Sequence, residues 1–182
     1  ISSVGYVVNS ATQALTRLVQ RASSQEAAGE IWSLVNPAAG AGTVRVAVSG
    51  GTADDDSIAV GVVTFTGVDQ TNPLGTAVSA AGTTSPASVN AASAAGELVF
   101  DTLALDDSKT ATVGAGQTQR WNLRTESGDD GVRAAASTEP GAPTTTMSWS
   151  ITADAWALCA VPVKPAQILS FTQTPATSFM RR

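Results

Sequence analysis

The sequence predicts an all-β fold, a two-sheet antiparallel β-sandwich of Greek-key type with an extended C-terminal tail. Three observations carry that expectation. Helical spacing of apolar residues is almost absent. Short runs rich in Val, Thr and aromatic residues recur between clusters of Gly, Pro, Asn and Asp. Several of these runs alternate apolar and polar residues, the period of a strand with one wet face. A chain of 182 residues is long enough for one generous domain, and it divides into a sandwich over residues 1–165 and a tail over 166–182.

About ten strands are expected. Ser3–Val8 and residues 14–20 form the first pair, joined by the turn Asn9-Ser10-Ala11-Thr12. Residues 30–35 follow and stop at Asn36-Pro37, because a proline restricts the residue before it and supplies no ladder donor. In residues 43–49, Val44, Val46 and Val48 share one face and Arg45 and Ala47 the other. Residues 58–68, with Val60, Val62, Val63 and Phe65, read as a central strand covered on both faces.

Residues 97–105 come next, and then residues 118–125, where Trp121 and Leu123 oppose Arg120, Asn122 and Arg124 and so fix the register. Residues 146–151 and 155–163 read as a hairpin with a bend at Thr152-Ala153-Asp154, and Pro162 places its second strand at an edge or a bulge. Residues 69–91 and 106–117 are long, small-residue connections that carry the chain between sheets. There is no internal repeat.

Composition narrows the function. Apolar residues make up 43% but aromatics only 5%, so the core is built mainly from Val, Leu and Ala. Charged residues are scarce at 14%, and Ser and Thr together make up roughly a quarter of the chain, giving a hydroxyl-rich surface. With a net charge of −5 and ten scattered Lys and Arg, the chain has no concentrated basic face for nucleic acid or anionic lipid. No apolar stretch reaches the roughly 18–20 residues of a membrane span, so membrane insertion is not expected. The first residue is Ile1, with no basic and apolar leader, so a processed chain or a fragment of a longer one is expected, at an extracellular or cell-surface location. Cys159, the single cysteine, sits among Ala157, Leu158, Ala160 and Val161 as a small buried hydrophobe, and no internal disulfide can form.

The chain contains no histidine, which excludes Ser-His-Asp and Cys-His catalysis, His-bound zinc and the commonest general base near neutral pH. A non-enzymatic role is therefore expected. Glu30, Glu97, Asp101 and Glu126 are the in-strand or near-strand carboxylates that glycoside hydrolysis would need, but spacing alone brings no two of them together. The clusters Asp54-Asp55-Asp56, Asp106-Asp107 and Asp129-Asp130 offer hard oxygen ligands suited to calcium, or are simply solvated acidic turns. The triple aspartate is the preferred metal candidate, because Gly50-Gly51 before it lets the backbone fold tightly. Each of the four tryptophans lies in a strand that can bury it; Trp32 and Trp156 are the candidates for exposure and for stacking on a sugar. Gly114 and Gly116 are followed by neither a helix nor a Lys-Ser or Lys-Thr pair, so they form no phosphate loop.

The stretches Thr138-Glu139-Pro140-Gly141, Met147-Ser148-Trp149-Ser150 and residues 156–165 resemble the ending of β-sandwich modules in large secreted bacterial surface proteins and some phage proteins. Val4-Gly5-Tyr6, Gln13-Ala14-Leu15-Thr16 and Glu30-Ile31-Trp32 fit the beginning of the same modules. The likeness spans residues 3–165 and is similar in architecture to concanavalin-like jelly rolls. It implies a jelly-roll arrangement and carries over no catalytic residue. Such modules generally have a strand before the point where this chain begins, and this chain runs past their usual end into residues 167–182.

Together these readings point to a structural subunit or module of an extracellular fibre, filament or adhesin. Its partners would be copies of itself or adjacent modules, joined by β-strand addition with Ile168, Leu169, Phe171 and Phe179 of the tail as the assembling residues. A virion surface protein shares the same physics. The alternative is a calcium-assisted carbohydrate-binding module that presents Trp32, Trp156 and an acidic loop to glycans.

Overall fold

The computed structural model of the chain describes residues 1–23, 27–49, 57–126 and 131–167. In chain order its strands are β1 (Ser3–Val8), β2 (Ala11–Ala14), β3 (Thr16–Ala22), β4 (Ala28–Ser33), β5 (Gly42–Ala47), β6 (Val78–Gly82) and β7 (Ala87–Ala91). They continue as β8 (Leu98–Leu105), β9 (Ala111–Val113), β10 (Thr118–Arg124), β11 (Arg133–Pro140), β12 (Thr145–Ile151) and β13 (Trp156–Val163). Every ladder between these strands is antiparallel. The all-β expectation holds, with the strands distributed over four sheets: β2-β1-β5, β10-β11-β8-β13-β6, β7-β12-β9 and β3-β4. Among the described residues no helix is long and apolar enough to cross a membrane.

The five-stranded sheet is the middle of the molecule, and β13 lies inside it, between β8 and β6. All eight residues of β13 are buried. Trp156 and Leu158 pack with Leu103, Leu105 and Ala135 against Trp149, Ile151 and Ala87 of the β7-β12-β9 sheet. On the opposite face Cys159 and Val161 pack against Ile31 of β4, with Leu18, Val19 and Phe100 closing around them. Coverage on both faces explains why β13 is continuously apolar where β12 alternates. Each fully buried leucine here, Leu103, Leu105 and Leu158, contributes about 1.5–3 kcal/mol relative to exposure.

Several expectations are corrected. Residues 57–65 belong to no ladder among the described residues, and Ile58, Val60 and Val62 are exposed, so the segment is not a doubly covered central strand. Its continuous apolar character matches that of β13, and composition does not separate the two. The expected hairpin of residues 146–151 and 155–163 is instead a crossing between sheets, since β12 pairs with β7 and β9 while β13 pairs with β8 and β6. Pro162 lies in an interior strand rather than at a sheet edge, but at an irregularity as expected, since the pairing shifts by one residue between Val78↔Ala160 and Leu74↔Val163. It is tolerated because its carbonyl accepts from Gly75 N–H at 2.9 Å, beyond the last β6 pair at Val78↔Ala160, so its missing donor faces away from β8.

The stretch read as residues 14–20 is two strands meeting at Leu15, one in each of two sheets. The connections 69–91 and 106–117 do carry the chain between sheets, but they also hold β6, β7 and β9. The run Arg133–Pro140, which carries no strong strand signal, is β11.

Candidate functional site

Among the described residues three places bring chemistry-bearing side chains together: a polar network in the core, a carboxylate cluster at the turn after β8, and an open edge along residues 57–65. The network centres on Asp101, which is fully buried on β8. Its Oδ1 accepts from the Ser137 backbone N–H at 2.6 Å and from Ser137 Oγ–H at 2.8 Å; its Oδ2 accepts from Trp149 Nε1–H at 2.8 Å. Gln117 extends the chain of bonds, donating to Ser137 Oγ at 2.6 Å and accepting from the Ser148 backbone N–H at 2.7 Å. One buried carboxylate thus ties β8 and β11 to β12 across the gap between the sheets.

Burial outweighs the three donors and pushes the Asp101 carboxyl up to about 6. Glu139 on the neighbouring strand adds repulsion, and burial raises its own carboxyl as well. The other in-strand and near-strand carboxylates have separate partners: Glu30 holds the Ile1 amino group and Trp32 Nε1–H, Glu97 caps the Ala94 N–H, and Glu126 accepts from Ser57.

The carboxylate cluster joins Asp106 and Asp107 of a short 3₁₀ turn (Asp106–Ser108) to Asp154, with ligand oxygens within 4.8 Å of one another. Three hard oxygens in that space can coordinate a divalent cation. Lys109 already approaches two of them, at 3.2 Å from Asp107 and 3.6 Å from Asp154. Asp106 has its carboxyl raised, first by burial and then by the charges of Asp107 and Asp154. The pair Asp106-Asp107 is visible in the sequence as an acidic loop, but Asp154, 47 positions after Asp107 by residue number, is brought in only because the bend before β13 lies beside that turn, where Asp106 N–H bonds Ala155 O at 3.0 Å. Asp54, Asp55 and Asp56, the preferred metal candidates, lie outside the described residues, as do Asp129 and Asp130.

The two tryptophans expected to be exposed do not form a platform. Trp156 is only 6% exposed, lies in the core against β7-β12-β9 and donates its Nε1–H to Thr84 O at 2.9 Å. The reading of Trp156 as a ligand-stacking residue is therefore corrected: both faces of β13 are covered, so no strand neighbour can take the inward place for it. Trp32 is half-buried on β4, beyond the opposite face of the central sheet, with the Arg17 guanidinium 5.6 Å from its ring centre. Cys159 is buried, as its apolar surroundings imply, and burial pushes its thiol up to about 12.

The open edge is held from its inner side. Ser57 Oγ–H donates to Glu126 at 3.1 Å, and Trp121 lies against Gly61, where any Cβ would overlap the indole. Phe65 meets Phe100 edge-on at 5.9 Å. Gly67, at φ +70°, bends the chain, and Val68 then bridges Pro165. On the outer side Ile58, Val60 and Val62 are 45%, 48% and 62% exposed, a row of large apolar residues at strand spacing. The tail residues Ile168, Leu169, Phe171 and Phe179 lie outside the described residues. No protein-family model, curated protein or solved structure matches the chain.

Proposed function

We propose that this chain is a non-catalytic structural β module that acts outside the cell, as a subunit of a fibre, filament or adhesin built by β-strand addition between neighbouring copies. The observation that carries this reading is the segment 57–65, which joins no ladder among the described residues and exposes the row Ile58, Val60 and Val62. A long apolar edge is a template for another strand, and the same chain carries a β-prone tail with alternating apolar positions at Leu169 and Phe171. In architecture we read the five-stranded sheet and β7-β12-β9 as the two leaves of a jelly-roll-like sandwich, with β3-β4 layered outside, in keeping with the likeness to secreted bacterial and phage modules. The hydroxyl-rich, weakly charged composition suits a protein that packs against copies of itself.

Deleting residues 167–182 and examining the purified chain by size-exclusion chromatography and negative-stain electron microscopy tests the proposal. Loss of polymers that the full chain forms is the expected result. Polymers of unchanged length and abundance would remove the tail from assembly.

A further inference from the structure

We infer that the edge formed by residues 58–65 is the docking surface for this chain's own C-terminal segment, residues 168–174, which in the free subunit folds back along it as an antiparallel strand, with Phe65 opposite Ile168 and Val62 opposite Phe171. The pairing has already begun where the described residues end. Val68 bridges Pro165, flanked by Asp69 N–H to Lys164 O at 3.0 Å and Ala166 N–H to Gly67 O at 2.8 Å. Those two bonds bracket Val68 and Pro165 as a non-hydrogen-bonded pair, which sets the parity of everything beyond them.

Continued residue by residue, that parity asks Ile168, Ser170, Thr172 and Thr174 to donate to the carbonyls of Phe65, Val63, Gly61 and Ala59. None of the four is proline, and the nearby prolines, Pro165 and Pro175, both fall at positions that owe no ladder donor. The same parity places Leu169, Phe171 and Gln173 opposite Thr64, Val62 and Val60, in the pairs whose side chains approach most closely. Phe171 then covers Val62, the most exposed large apolar residue among those described, at 62%. Arg181 and Arg182, the charged residues of the tail, lie beyond the paired stretch, so no charge enters the ladder.

A slip of one residue at the Gly67 bend would bring Ser170 or Thr172 opposite Val62 and leave the row uncovered. Closure within one chain goes beyond strand addition between copies, which would then proceed by exchange of a segment already seated on its own subunit.

Disulfide trapping tests the placement. In the variant Val62→Cys with Phe171→Cys, the non-hydrogen-bonded geometry brings the backbones close enough for a disulfide. Mild oxidation of the dilute chain should give an internally bridged monomer about tenfold faster than in Val62→Cys with Thr172→Cys. Buried Cys159 stays silent in this assay. Faster bridging of the slipped pair, no bridging in either, or disulfide-linked dimers would each overturn the inference; the dimers would leave exchange between neighbours standing. Hydrogen exchange of the unmodified chain gives a second reading. The amides of Gly61, Val63 and Phe65 should lose about tenfold protection or more when the chain is truncated after Gln167, and unchanged exchange would overturn the inference.

Discussion

Replacing Asp101 with asparagine is expected to flatten the dependence of stability on pH. The carboxyl sits fully buried between β8 and β12, with its two oxygens on Ser137 and Trp149. Burial raises its pKa from 3.8 to about 6. As pH climbs from about 4 to about 6, the unfolded chain releases this proton before the folded chain does, so the unfolded state is favoured and stability falls. A gap of about two pH units, at 1.36 kcal/mol for each, amounts to roughly 3 kcal/mol. Glu139, whose carboxyl burial also raises, contributes a fall of the same sign, and the difference between native chain and variant isolates Asp101.

The assay is urea unfolding followed by tryptophan fluorescence at pH 4, 5, 6 and 7. The native chain should lose roughly 3 kcal/mol across that range and Asp101→Asn should lose little. The variant should also be weaker at pH 4, by about 1–3 kcal/mol, because an amide cannot accept from both Ser137 and Trp149 and leaves one donor unmet. A native chain whose stability rises with pH over this window, with the rise lost in the variant, would refute the reasoning. It would mean that the three donors outweigh burial.

Gly61→Ala should destabilise the fold by about 1–3 kcal/mol, since its Cβ would overlap the Trp121 indole; a lowered melting temperature with altered Trp121 emission checks it. Trp156→Ala should cost about 3–5 kcal/mol, whereas Trp32→Ala, at a half-buried position on an outer strand, should leave the melting temperature much nearer the native value. Millimolar calcium should leave the melting temperature of the native chain unchanged, because the Lys109 ammonium approaches Asp107 and Asp154. In Lys109→Met the same calcium should stabilise by about 1 kcal/mol or more, read by differential scanning fluorimetry with and without chelator.

The strands β5 and β12 are legible in the sequence almost to the residue, because one face is wet and the period of two appears directly. β10 is located by the same pattern, but its expected faces and register are corrected, since Leu123 is exposed, Asn122 is half-buried and the ladder shifts register between Gln119 and Trp121. β11 is not legible, since Arg133-Ala134-Ala135-Ala136-Ser137 has no β-branched residue; it is a strand because its backbone pairs with β8 on one side and β10 on the other, a tertiary cause. Residues 58–65 carry a stronger strand signal than β11 yet form no ladder among the described residues, because propensity reports a preference for extended backbone and not the presence of a partner. Of the site residues, Asp106 and Asp107 are visible as an acidic loop, but Asp154 joins them only through the fold. The burial of Trp156 is not legible in the sequence, because a strand read alone does not show that both of its faces are covered, as those of β13 are.

The place of β13 also governs the order of events during synthesis. Its eight residues are the last strand made among the described residues, and they fill the gap between β8 and β6 that the earlier strands leave open. Until residues 156–163 have emerged, the central sheet is two fragments with unpaired inner edges, so the nascent chain cannot close early, domain part by domain part. A chain built this way cannot close its central sheet before residues 156–163 are delivered, so a chain cut short of Trp156 would leave the facing edges of β8 and β6 open.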